Sequence, residues 1–209
     1  MSQTTHQIEN DVRETLEAGV DIYQRVRAIT LKALTERELD LENIKSVVEA
    51  AFNGISAGMS SQYEPAKEAF SQSAAAIDDA LEKTAQASRL AIEEAASRVS
   101  DFSHHDLNRA TDDIKNLEEI FLETLEKVTH GSNEMVFTIA RDFIDHARQN
   151  GTAVGRQTEI VFEALNNFRR KGQNAVWSGA VATTSMIAKI GSGILTGIAD
   201  SLEPDKPAK

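Results

Sequence analysis

AKEAFSQSAAAIDDALEKTAQASRLAIEEAASRVS, residues 66–100, is the stretch whose reading decides the fold. Within it Phe70, Ala74, Ile77, Leu81, Thr84, Ser88, Ala91 and Ala95 alternate four- and three-residue steps. That 3.5-residue period keeps a narrow apolar seam turned toward a partner helix and favours left-handed supercoiling. Ala76–Lys83 and Ala91–Arg98 repeat one amphipathic pattern. The whole chain shares this alanine-rich style, with 28 alanines among 209 residues. Alanine is the best helix former, whereas strands want β-branched and aromatic side chains. Only Pro65, Pro204 and Pro207 interrupt the chain. The expectation is an all-α protein of long antiparallel amphipathic helices, coiled-coil-like, with thin seams.

Working outward, Ile8, Val12, Leu16, Tyr23, Val26 and Thr30 mark one face of a helix from about Ile8 to Leu34. Leu41, Ile44, Val47, Val48, Ala51, Phe52 and Ile55 define a shorter helix ending in Gly58, and residues 56–64 read as a loop ahead of Pro65. Ser103 with Asp106 reads as a helix start. The seam then returns at Leu107, Ala110, Ile114, Leu117, Phe121, Thr124 and Val128. Ser132 opens a helix on Val136, Ile139, Phe143 and Ala147. Because Val154, Val161, Leu165 and Phe168 keep its phase, the pattern predicts one long helix with a weak point at Gly151 and Gly155.

The formal net charge is −11, from 33 Asp and Glu against 22 Lys and Arg, and argues against a nucleic-acid partner. It is unevenly spread: residues 1–150 hold 28 acids and 15 bases, whereas residues 151–209 hold 5 acids and 7 bases. The chain has no cysteine, which excludes disulfides, thiolate metal sites and cysteine nucleophiles. Met1–Gln7 lacks the basic and apolar regions of a secretory signal, so a cytoplasmic location is expected. Position 2 is not glycine and the last residues offer no prenylation cysteine.

Residues 172–199 carry a single charge, Lys189, and follow the triplet Arg169-Arg170-Lys171. On a helix Val176, Ala180, Thr183, Ile187, Ile190, Ile194 and Ile198 share one face, and Ser178, Ala182, Ser185, Lys189, Ser192 and Thr196 the opposite one. A broad apolar face bounded by a basic cluster and Trp177 suits an anionic lipid interface. Membrane insertion is near balance, because each strong apolar residue contributes roughly −0.3 to −0.6 kcal/mol and a central Lys costs about +2.5 to +3.5. Gly193 and Gly197 form a small-xxx-small pair that permits close helix approach. A low-charge helix is also what the buried centre of a bundle looks like. The chain is therefore expected to divide into an acidic helical bundle (residues 1–172), an apolar, glycine-rich C-terminal helix (173–203) and a disordered tail (204–209).

Other constellations carry no chemistry. His104 and His105 are adjacent and point apart, whereas a helical metal site wants three- or four-residue spacing. Glu118, Glu119, Glu123 and Glu126 suggest a carboxylate site, but Glu-x-x-His occurs nowhere, and a solvated acidic face accounts for them. Arg141, Asp142, Asp145, His146 and Arg148 read as a surface salt-bridge cluster. Gly191-Ser192-Gly193 lacks the rest of a phosphate loop. No cofactor, metal or enzyme is expected.

The segment ARQNGTAVGRQTEIVFEAL, residues 147–165, resembles the helical part of phasins. The resemblance implies a small, cysteine-poor, non-enzymatic bacterial protein that coats polyhydroxyalkanoate storage granules. The acidic helices and the glycine-rich tail after Ala175 depart from that pattern. LDLENIKSVV, residues 39–48, suits an uncharacterised bacterial helical family equally. Two functions stay open. One is a self-associating protein that docks on a granule or anionic membrane surface through Arg169, Arg170, Lys171, Trp177, Ile187, Ile190, Ile194 and Ile198. The other is a soluble oligomeric scaffold or adaptor with the same helix buried in its bundle.

Overall fold

The computed structural model describes residues 4–97, 112–160 and 184–202. The protein is all-α, with no strand among the described residues. Its named helices are α1 (Thr5–Ala18), α2 (Ile22–Thr35), α3 (Leu41–Gly58), α4 (Tyr63–Ser97), α5 (Leu117–Thr129), α6 (Glu134–Asn150) and α7 (Thr184–Leu202). Residues 112–115 and 153–160 are also helical.

The single helix expected over Ile8–Leu34 is two. Gly19 adopts φ 64° and its N–H donates to the carbonyls of Thr15 and Leu16, ending α1 in the left-handed conformation that glycine tolerates. Asp21 follows at φ 51°. The seven-residue step from Leu16 to Tyr23 disguises the reversal, because both sides of it face the same core. Two later helices, α3 and α6, start on side-chain caps. Asp40 accepts from the N–H of Asn43 at 2.8 Å to open α3, and Asn133 from that of Val136 at 3.0 Å to open α6.

A Gly-x-x-x-Gly pair sets a close helix approach. A Cβ on Gly54 would lie 2.4 Å from the carbonyl oxygen of Glu9, and one on Gly58 2.6 Å from that of Arg13. The two contacts advance together, so α1 and α3 run in the same direction, backbone against side-chain-free backbone.

The core column is α4. Phe70, Ala74, Ile77, Leu81, Thr84 and Ala91 of the predicted seam are buried, but so are Ala66, Ser73, Ala76, Ala80, Ala85, Ala87 and Ile92. The buried face is therefore much wider than a coiled-coil seam, and α4 packs against α2, α3, α5, α6 and α7. Alanines suit that position, since small side chains let several helices close on one axis. Aromatic rings link the layers: Phe52 lies 5.6 Å from Phe121, Phe121 6.3 Å from Phe143, and Phe143 5.8 Å from Phe70. Edge-to-face and tilted pairs of this kind add to area burial by about 0.5–1.5 kcal/mol each.

Candidate functional site

The C-terminal helix α7 lies against α4 and α2. Its inner face is built from Ile190, Gly191, Ile194, Leu195, Ile198 and Ala199. Of these side chains only Leu195 is fully buried, while Ile190, Ile194 and Ile198 are half-buried along one edge and pack on the same core. Gly191 makes the close approach: a Cβ there would sit 3.6 Å from Cβ of Ala91 and 3.4 Å from Cδ1 of Leu39. The Ser192 hydroxyl donates to the Thr35 carbonyl at 3.0 Å, and the Lys189 ammonium lies 3.2 Å from the Glu38 carboxylate. That ion pair is solvent-exposed on both sides and contributes at most about 1 kcal/mol. Apolar packing holds the helix, and the polar contacts set its register.

Lys189, Gly193, Thr196, Gly197 and Asp200 face outward. Among the described residues a Cβ on Gly193 or Gly197 would meet nothing within 4 Å, and the close helix approach belongs to Gly191 instead. Of the surface-docking residues, Ile190, Ile194 and Ile198 come together on one edge of α7. Arg169, Arg170, Lys171 and Trp177 lie outside the described residues, as does the side chain of Ile187, and so do His104, His105 and residues 204–209. Among the described residues no helix is long and apolar enough to cross a membrane, and no group of three or more acidic or histidine side chains is arranged to hold a metal ion.

A second feature escaped the sequence reading. The helix expected to continue past Gly151 stops at Asn150, because Gly151 takes φ 73° and ψ 160°, and a new helix begins over residues 153–160. Its four exposed N–H donors are all satisfied by side chains, which a buried helix start requires. The N–H of Thr152 donates to Glu118 at 3.2 Å, those of Ala153 and Val154 to the two oxygens of Asp78 at 2.7 and 2.9 Å, and that of Gly155 to the Thr152 hydroxyl at 2.9 Å. The same hydroxyl donates to Glu118 at 2.6 Å. Gly155 leaves room for the Glu118 carboxylate, which a Cβ would meet at 2.3 Å. Glu118 is thus no part of a solvated acidic face. Burial raises the Asp78 pKa above its ordinary 3.8; the N–H groups of Val154 and Ala153 and the charge of Arg156 oppose the rise, and Glu118 adds to it. The only local clue was two glycines four apart inside an otherwise helical phase.

Elsewhere Arg148 pairs with Glu126 at 3.1 Å and the Asn150 amide lies against His146, a surface arrangement without an enclosed ligand set.

No curated protein and no solved structure matches the chain. One family model does, and it spans residues 1–204, covering the acidic bundle and α7 together. The chain therefore belongs to the family of unknown function DUF6781.

Proposed function

We propose that this chain is a non-enzymatic, self-associating helical protein that lays its C-terminal helix on an anionic apolar surface, a membrane or a storage granule. The observation that carries this reading is the half-buried edge of Ile190, Ile194 and Ile198 on an outer helix of the bundle. Each of these Ile side chains is worth roughly 1.5–3 kcal/mol when fully buried, an apolar gain open to any surface that covers them. Charge supports the same placement. Residues 151–209 are net basic, with Arg169-Arg170-Lys171 leading into the apolar stretch, while the acidic body would be repelled by the surface. The likeness of residues 147–165 to phasins points the same way.

Burial of Leu195 and the close fit at Gly191 favour a second reading, a scaffold in which α7 is simply a bundle helix. Co-sedimentation with vesicles of phosphatidylglycerol and phosphatidylcholine separates the two. The surface reading expects the full chain to sediment with the vesicles and a chain lacking residues 172–209 to lose binding by about tenfold or more. Undiminished binding by the truncated chain refutes it. The scaffold reading expects no vesicle binding at all and a loss of oligomeric order on truncation, read by light scattering.

A further inference from the structure

We infer that α7 is a latch: its apolar face is shared between the α2–α4 seat and an anionic lipid surface, so the helix must leave the body to dock. The inference rests on the surface-docking reading and adds a mechanism of control to it. The residues that would enter lipid, Ile190, Ile194 and Ile198, are those that pack on the core, and Leu195 between them is fully covered. One helix face cannot be applied to two apolar surfaces at once. Docking with the helix still seated would leave Leu195 and Gly191 turned to protein and present the lipid with little more than an edge.

Two polar contacts tie α7 to the end of α2 and the turn after it: Lys189 to Glu38, and Ser192 to the Thr35 carbonyl where α2 ends. The ion pair is exposed, so ionic strength and a competing anionic surface both weaken it. An anionic headgroup replaces Glu38 as the partner of Lys189, and acyl chains replace Ala91 and Leu39 as the partners of the apolar face. On release the seat exposes Ala91 and Leu39, both buried in the latched form.

The absence of cysteine makes a clean test available. A Cβ at position 191 lies 3.6 Å from that of Ala91, within the separation a disulfide spans. In the full chain carrying Ala91→Cys and Gly191→Cys, the oxidised protein is expected to bind phosphatidylglycerol–phosphatidylcholine vesicles at least about tenfold more weakly than the same protein reduced. Equal binding in both redox states overturns the latch and leaves the surface-docking reading standing. Failure of the unsubstituted chain to bind overturns both. A second readout does not depend on the crosslink. With Ala91→Cys alone, labelling by a water-soluble maleimide is expected to quicken at least about tenfold on adding vesicles, because the covering helix has gone. Labelling that stays slow while the protein is vesicle-bound overturns the latch.

Discussion

At the scale of the residue, Asp78 shows how a half-buried charge is tolerated for what it organises. Its two oxygens hold the N–H groups of Ala153 and Val154 and so define where the chain re-enters a helix after Gly151. Desolvation makes the folded carboxylate hold its proton more tightly than the unfolded one, against the pull of those N–H groups and Arg156 and with the help of Glu118. The sign of the linkage follows. From the ordinary value of 3.8 up to the raised folded value, the folded state binds more proton, so stability falls as pH rises through that window. Denaturant unfolding at a series of pH values should therefore show the wild type losing stability relative to Asp78→Asn across this window, with the difference level above it. Wild type gaining stability relative to Asp78→Asn as pH rises through this window would contradict the account. None of this was visible in the sequence, since Asp78 sits 75 residues from Ala153 and looks like one more acid on the polar side of an amphipathic helix.

At the scale of the element, glycine has opposite meanings on two helices. On α3, Gly54 faces the Glu9 carbonyl, which is backbone and cannot move aside. On α7, Gly193 meets no neighbour among the described residues. Gly54→Ala should destabilise the fold by about 2 kcal/mol, overpacking outweighing the propensity gain. Gly193→Ala should be neutral or stabilise by up to about 1 kcal/mol, the propensity difference alone. Chemical denaturation of both variants decides it, and destabilisation by Gly193→Ala would mean that its face is covered. The Gly-x-x-x-Gly spacing was legible at both places. Which copy closes on a neighbour depends on rotation about the helix axis, which spacing does not encode. The helix breaks at Gly19 and Gly151 were hidden for a related reason: side chains on either side of each break face one core and preserve the phase of a continuous helix.

At the scale of the whole molecule, the acidic body and the weakly basic C-terminal part meet through α7 on α4. Residues 1–150 carry 28 acids against 15 bases, so like charges crowd the bundle surface. Raising the ionic strength from about 0.01 to 0.15 M shortens the Debye length from about 30 to 8 Å, and the melting temperature should rise as repulsion is screened. The same change should loosen vesicle binding, because the attraction between the basic residues and anionic headgroups is screened too. Thermal melting and co-sedimentation on one salt series would reveal both trends, and a melting temperature that falls with salt would refute the first.

The sequence by itself determined the helical class, the alanine-lined core and the apolar face of the last helix. Each is a local property, set by propensity and by which side chains recur every three or four residues. Tertiary structure decided the rest. It made α4 the column around which α2, α3, α5, α6 and α7 close, put Gly54 and Gly58 rather than Gly193 and Gly197 at a tight crossing, and turned Asp78 and Glu118 into the caps of a distant helix. It also gave the apolar face of α7 a partner within the chain. Periodicity states that a face must be covered; only the positions of the other helices decide what covers it.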